Sequence, residues 1–489
     1  MSRHLKIIIL ASLILALSGC AIGPDFQKPV VNAPKEFRFD YVKEDTAAIL
    51  SWWELFNDPI LDTLVKIALK ENRDVRTAAL RIDEARASMK YNRSFMWPYL
   101  GYEGNISSGN LNSVLTPPGK DQDGNTIYYN KTSTYYYGAP VLSWEIGFWG
   151  KYRRLTESAR EDMFAQEATH RSIMISLISE VASVYFQLLD YDNRLEISRS
   201  TLVSRQEYLN IMQERYDKGT VAEIDVNQAQ IQEAIAAAAV PQYERAVAST
   251  ENVLSILLGR NPGTILRGTK LEAQAMPPDI PAGLPSTLVQ RRPDIVEAEH
   301  SVAAQNAMIG YAQAMRFPSF SITGLLGVAS PDLTSAGLNA AWSVSGSLLG
   351  PLFNFGKNKR RVEVERIRTQ EAYLMYDQAV LNAFRETEDA LISITTYKDQ
   401  LEAVVRQRDA AANAAMLSRA RYDEGLTSYL EVLDSERTLF DASLNASATL
   451  QARLNSYVDL YKALGGGWIS REEKTAAEQA AAEQAQQKK

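Results

Sequence analysis

Three residues near the C-terminal end carry the sharpest chemical signal in the chain. Leu430, Asp434 and Arg437 are spaced i, i+4 and i+7, which places an apolar, an acidic and a basic side chain on one stripe of a helix. Such a stripe can act electrostatically. It can equally be an ordinary solvated i,i+3 ion pair, worth roughly 0.3 kcal/mol. Covalent chemistry is poorly served elsewhere. No GxSxG, HExxH or phosphate-cradling glycine loop occurs. Of the three histidines, His4 falls in an N-terminal leader, while His170 and His300 fall on helical stretches, packed or solvated. Asp121-Gln122-Asp123-Gly124-Asn125 has the outline of a calcium loop but lacks the later glutamate, so it reads as a surface turn. A net charge of −7 leaves no footprint for nucleic acid. The reading is of a chain that is not an enzyme, with no metal site and no cofactor.

The one cysteine, Cys20, cannot form an internal disulfide, so its place in the chain is what informs. Arg3, His4 and Lys6 precede the apolar run Ile7–Leu17, and Leu17-Ser18-Gly19-Cys20 follows as a lipobox. The run is too short to span a bilayer, so 1–19 reads as a signal peptide cleaved before a lipid-bearing Cys20. Ala21, where an aspartate would favour retention in the inner membrane, favours the outer membrane. No later stretch approaches the roughly 20 apolar residues of a membrane helix, so the chain spans by a β-barrel or hangs by its lipid.

The elements that position the Leu430 stripe are legible from an internal repeat. Gly150-Lys151-Tyr152-Arg153-Arg154 matches Gly356-Lys357-Asn358-Lys359-Arg360, 206 positions on, and the same offset aligns Arg215-Tyr216-Asp217-Lys218-Gly219 with Arg421-Tyr422-Asp423-Glu424-Gly425. Upstream, Asp74, Ala78, Ala87, Tyr91 and Pro98 match Asp294, Ala298, Ala307, Tyr311 and Pro318. The predicted division is a lipidated segment 20–58, a first repeat 59–260, a linker 261–285, a second repeat 286–467 and a polar tail 468–489. Each repeat opens with a helix (Pro59 to about Met96; Ser286 to about Met315), then a β-hairpin (about 98–146; about 317–353), then two long helices. The strands are read from strict alternation, as in Trp342-Ser343-Val344-Ser345-Gly346-Ser347-Leu348. Gly150 to Lys218 holds no internal glycine or proline and predicts a helix of about 100 Å, with Leu177, Val181, Val184 and Leu188 as an apolar stripe. Gly219 and Gly425 end the long helices as C-caps, Gly425 just before the Leu430 stripe; Ile224, Gln228 and Ile231 hold the equivalent places in the first repeat. Four strands cannot close a membrane barrel, whereas three chains would supply about twelve.

Several segments together, in this order, resemble the TolC family of outer-membrane factors. They are Cys20-Ala21-Ile22-Gly23-Pro24-Asp25-Phe26, Trp52-Trp53-Glu54-Leu55-Phe56-Asn57-Asp58-Pro59, Arg291-Arg292-Pro293-Asp294-Ile295, and Arg421 to Gly425 followed by Tyr429-Leu430-Glu431-Val432-Leu433-Asp434. The nearest likeness is to the lipidated, OprM- and NodT-like branch that serves resistance-nodulation-division pumps. It implies a mixed α and β membrane protein, a homotrimer with a 12-stranded outer-membrane β-barrel continued by a periplasmic α-helical barrel. It implies an export duct of a tripartite efflux pump for drugs or other small toxic compounds, with a periplasmic adaptor and an inner-membrane pump as partners and outer-membrane lipid around it. It also gives residues their roles. Leu430 and Asp434 narrow the periplasmic aperture; Tyr422 and Arg437 sit in the bonds that hold it shut, with Asp225 as an acceptor. The helix tips at Tyr216, Gly219, Thr220, Gly425, Leu426 and Thr427 meet the adaptor. The same fold could serve as the exit of a type I protein secretion system, and the helices alone would suit a periplasmic coiled-coil scaffold lipoprotein.

Overall fold

The computed structural model describes residues 21–31, 33–34, 36–39, 52–109, 119–127, 133–277, 289, 291–330 and 339–466. The leader, Cys20, the C-terminal tail and most of the stretch 278–290 lie outside the described residues. The chain divides into a sheet-bearing unit (Met1–Pro29, Asp83–Ala165, Glu299–Met375) and a helix-bearing unit (Val30–Ile82, Gln166–Ala298, Tyr376–Lys489).

The sheet-bearing unit holds four antiparallel strands, β1 (Tyr99–Gly109), β4 (Ser133–Ile146), β5 (Ser319–Ser330) and β6 (Asn339–Leu349), in the order β1-β4-β5-β6. Tyr99 pairs with Ser143, Ile146 with Phe320 and Ser319 with Leu349, so two sequence-distant hairpins are joined through β4 and β5. Neither β1 nor β6 has a partner on its outer edge among the described residues. Tyr102, Ile106, Trp342, Val344 and Leu348 are each more than 70% exposed. A sheet with bare apolar side chains and open edges is incomplete in water. Between β1 and β4, β2 (Gly119–Lys120) and β3 (Thr126–Ile127) pair as a small hairpin. Its tip is the Asp121–Asn125 turn, in which Asp121 Oδ1 accepts from the Asp123 and Asn125 amides at 3.0 and 2.6 Å.

The helices are α1 (Pro59–Glu71), α2 (Arg73–Ser94), α3 (Lys151–Asp217), α4 (Glu223–Leu257), α5 (Pro293–Ala314), α6 (Lys357–Asp423) and α7 (Tyr429–Ala463). α3 and α6 are 67 residues each, α4 and α7 are 35 each, and the second pair starts 206 positions after the first. One helix was expected from Pro59 to about Met96; the structure breaks it at Asn72. Asn72 Oδ1 accepts from the Asp74 and Val75 amides at 2.8 and 3.2 Å, and its Nδ2 donates to Leu257 O at 2.9 Å. The side chain caps a new helix and ties it to a distant one, which outweighs continuing the first. The composition reading also missed a window in α3 that by length and apolarity alone could cross a membrane; 61% of it is buried within the protein.

That burial belongs to the core of the helix-bearing unit. Ile178, Val181, Tyr185 and Leu188 of α3 pack with Leu61 and Val65 of α1, Leu254 of α4, and Leu454, Val458 and Tyr461 of α7. Leu177 and Val184 of the predicted stripe belong to the same packing. Trp52 and Phe56, on a single 3-10 turn, complete it, with Trp52 stacked on Tyr461 at 4.8 Å. Each such fully buried side chain contributes about 2 kcal/mol of transfer free energy. Asp58 caps α1, with Oδ1 accepting from the Ile60 and Leu61 amides at 2.9 and 3.2 Å. Its other oxygen accepts from Tyr185 Oη at 2.8 Å, the Thr269 amide at 3.1 Å and Gln274 Nε2 at 2.7 Å. Arg292 donates to Ala463 O at 2.9 Å and pairs with Asp294 and Glu386, closing the C-terminal end of α7. The two tryptophan- and arginine-rich motifs of the sequence are thus core and capping devices of this unit.

Candidate functional site at the paired helix tips

Both long helices of the helix-bearing unit end in the same way. Gly219 has φ +73° and Gly425 φ +72°, the left-handed conformation that a side chain resists. The Gly219 amide donates to Tyr216 O at 2.8 Å and the Thr220 amide to Arg215 O at 2.9 Å. The Gly425 and Leu426 amides repeat this to Tyr422 O and Arg421 O at 2.9 and 2.8 Å. These are Schellman closures, which satisfy the last carbonyls while turning the chain back. Thr220 Oγ1 adds a bond to Arg215 O at 2.8 Å. Thr427 Oγ1 donates to the Glu431 carboxylate, which also pairs with Arg421 at 3.2 Å. Tyr216 and Leu426 are exposed, so the turns present capped backbone together with apolar surface.

Beyond the second turn, one face of α7 is buried and the other is bare. Tyr429, Val432 and Leu433 pack with Tyr208 and Met212 of α3 and with Val226 and Ala229 of α4. Leu430 is 64% exposed on the opposite face. On that face Arg437 Nη2 donates to Asp434 Oδ1 at 2.7 Å, a pair within one helix and about two-thirds exposed. Ile224 and Ile231 of α4 are also exposed. Of the residues singled out in the sequence, the structure therefore brings Asp434 and Arg437 together. Tyr422 is held elsewhere: its hydroxyl donates to Met212 Sδ at 3.7 Å, its ring lies 5.5 Å from Tyr429, and the Arg215 guanidinium lies over it. Asp225 accepts from the Ala222 amide at 3.3 Å and caps its own helix. Within the chain neither Tyr422 nor Asp225 bonds to Arg437. Cys20 lies outside the described residues.

Sequence reasoning missed a second set of residues near these tips. Arg205 is 3% exposed; Nη1 donates to Gln232 O at 2.7 Å and its guanidinium lies 5.2 Å over Phe440. Burial pushes its pKa down. Arg419 bridges the Glu436 carboxylate and Ser204 Oγ. Together they line a cavity of 680 Å³ with Met416 and Ser443. Tyr208 stacks on Tyr429 at 5.2 Å, and burial pushes both phenols up, which keeps them neutral. The one sequence signal was the spacing of Arg205, Tyr208 and Met212 on a single face of α3. The arrangement offers packing, an exposed acid–base stripe and two capped tips, which suit a mechanical task.

The family model described as outer membrane efflux protein matches the chain twice, over residues 64–260 and 284–466. The chain is 34% identical over 475 residues to the toluene efflux pump outer membrane protein TtgC of Pseudomonas putida, covering 95% of this chain and 96% of that protein. It is 34% identical over 465 residues to the cation efflux system protein CusC of Escherichia coli, covering 93% and 97%. It is also similar to the solved open state of the Neisseria gonorrhoeae MtrE outer membrane channel, with a TM-score of 0.79, 28% identity, and coverage of 92% and 98%.

Proposed function

The chain belongs to the outer membrane efflux protein family, a family of outer-membrane channel proteins, and from that premise we propose that it forms the exit duct of a tripartite efflux pump. Three chains close one barrel of twelve strands, each giving β1, β4, β5 and β6. The observation that carries this reading is the four-stranded sheet with two open edges and exposed apolar side chains. In a bilayer each unpaired backbone group costs several kcal/mol, and joining β6 of one chain to β1 of the next removes the edges. Two repeats of similar build, seen in the equal helix lengths, supply the two hairpins and the two long helix pairs of each chain.

The duct passes small toxic compounds from periplasm to exterior; the named cargoes of relatives, toluene and cations, mark the class. Lipid on Cys20 adds an anchor. The tips at Tyr216, Gly219, Thr220, Gly425, Leu426 and Thr427 meet a periplasmic adaptor, which joins the duct to an inner-membrane pump of the resistance-nodulation-division class. Leu430 and Asp434, on the bare face of α7, narrow the aperture. Three Asp434 carboxylates near one axis repel, and Arg437 compensates them at 2.7 Å. Tyr422 and Asp225 leave their present partners to hold neighbouring helices when the aperture shuts.

Single-channel recording in planar bilayers tests the gate. Asp434→Ala is expected to reduce cation preference and Arg437→Ala to raise resting conductance. Wild-type conductance and selectivity in both variants would overturn the gate and leave the stripe a solvated helix face.

A further inference from the structure

The first described residues of the chain do not trail from the protein. They lie in a slot between the start of α3 and the middle of α5, wholly inside the sheet-bearing unit. The side chain of Arg154, 4% exposed, closes this slot. Its Nε donates to Ile22 O at 3.3 Å, and its Nη2 to Gly23 O at 3.2 Å, Ala21 O at 3.5 Å and Asp25 Oδ1 at 2.8 Å. Its Nη1 donates to Glu157 at 2.9 Å. The Ile22 amide donates to Trp149 O at 3.2 Å, and Asn306 Nδ2 to Pro24 O at 3.0 Å. Lys28 pairs with Glu299 at 2.7 Å. Segments of this kind are usually poorly ordered unless tied down; here four consecutive residues, Ala21 to Pro24, are tied through their backbone and the next, Asp25, through its side chain.

The walls are cut to this segment. A Cβ at Gly150 would come within 2.6 Å of Ala21 Cα, and one at Gly310 within 2.6 Å of Ile22 O and 2.8 Å of Arg154 Cγ. An internal control stands 206 positions on. Gly356 and Arg360 occupy the places of Gly150 and Arg154 in the second half of the chain. A Cβ at Gly356 would meet nothing within 4 Å. Arg360 is 74% exposed and pairs with Glu363 at 2.6 Å, the counterpart of the Arg154–Glu157 pair. The local sequence is alike, but burial, the carbonyl contacts and the lack of room occur only where the N-terminal segment lies.

We propose that the slot formed by Gly150, Arg154, Asn306 and Gly310 is a receptor site for the chain's own N-terminal segment Ala21–Asp25, and that its occupation fastens α5 to the start of α3 at the base of the sheet. The ligand is a short peptide bent at Ile22-Gly23, where Gly23 has φ +118°, read through three carbonyls and one carboxylate by a single guanidinium, whose planar fork suits several acceptors at once, and through Pro24 O by Asn306. Trp149, whose carbonyl takes the Ile22 amide, also donates Nε1 to Pro318 O at 2.8 Å and stacks on Phe317 at 4.7 Å. A filled slot therefore bears on the segment that leads into β5. This site is separate from any lipid on Cys20 and holds the segment with or without it.

Hydrogen exchange read by mass spectrometry on the full, detergent-extracted protein tests this. The Ile22 amide, held by its bond to Trp149 O and read in a peptide that begins at Cys20, is the reporter: in Arg154→Gln it is expected to exchange about a hundredfold faster, and in Asp25→Ala, which removes one exposed carboxylate, measurably faster by a smaller factor. Gly310→Ala, whose added methyl would press on both Ile22 O and the Arg154 stem, is expected to release the segment while leaving the guanidinium chemistry intact. Peptides spanning Gly219 and Gly425 stay at wild-type rates in all three. Cys20→Ser keeps the segment protected. If Arg154→Gln or Gly310→Ala fails to accumulate, Asp25→Ala decides, since its side chain is 90% exposed and its fold is not at risk. Wild-type exchange at the Ile22 amide in Asp25→Ala overturns the proposal. So does release by Cys20→Ser without release by Arg154→Gln, or an equal rise across the whole sheet-bearing unit.

Discussion

Removing the Asp58 carboxylate strikes the helix-bearing unit at one buried point, and the cost can be worked bond by bond. Asp58 is 1% exposed and accepts from five donors. In Asp58→Ala the N-cap of α1 is lost, at about 1 kcal/mol. The Tyr185 hydroxyl and the Thr269 amide lose this acceptor, at about 1–2 kcal/mol each. Burial pushes the Tyr185 phenol up, so ionisation cannot relieve it. Gln274 Nε2 keeps its bond to Thr269 O at 2.8 Å, which limits its share. The sum is about 3–5 kcal/mol, and Asp58→Asn, which keeps one oxygen, is expected to cost about half as much. A Cβ at Gly268 would come within 2.1 Å of Asp58 Oδ1, so Gly268→Ala disturbs the same point from the other side. The double variant is therefore expected to fall short of additivity by about 1 kcal/mol or more. Denaturant melts followed by hydrogen exchange over residues 267–277 supply the readout. A loss below about 1 kcal/mol in Asp58→Ala, or strict additivity with Gly268→Ala, would refute the accounting.

Other outcomes follow from single features. Arg437→Ala breaks an exposed i,i+3 pair and is expected to change stability by less than about 0.5 kcal/mol while resting conductance rises; a thermal melt beside the bilayer recording checks both. Gly425→Ala forces a side chain into φ +72° and is expected to destabilise the tip by about 1 kcal/mol, seen as faster exchange in residues 421–429 and weaker capture of adaptor. His170 has its pKa lowered from 6.5 by burial and by Arg171. The unfolded chain then takes up a proton that the folded one refuses, so stability is full above pH 6.5 and falls as pH drops below it. His170→Gln is expected to flatten that slope in melts between about pH 5 and 7.

Much of the long-helix architecture is readable because its punctuation is local. Gly219 and Gly425 stop the helices where the left-handed turn requires them, and serine alternation marks β6 at Asn339–Leu349. The break at Asn72 was not legible, because it rests on a bond to Leu257 O, 185 positions away. Distance in sequence also hid Arg205 and Arg419, whose partners come from other helices or far along the chain. At the tips, helical spacing put Leu430, Asp434 and Arg437 on one stripe, but spacing alone could not say that Tyr422 turns to Met212 and Tyr429. In the sequence Arg154 is half of a repeat marker. The likeness to Arg360 concealed that one guanidinium is buried over the N-terminal segment and the other is in water.

Closure of one outer-membrane barrel by three copies of this chain is measured directly by native mass spectrometry of the protein extracted in mild detergent from outer membranes. A single species of three chains is expected, each carrying the added mass of lipid on Cys20. A stable monomer or dimer that remains folded would contradict it, because β1 and β6 would then sit in lipid with their edges unpaired.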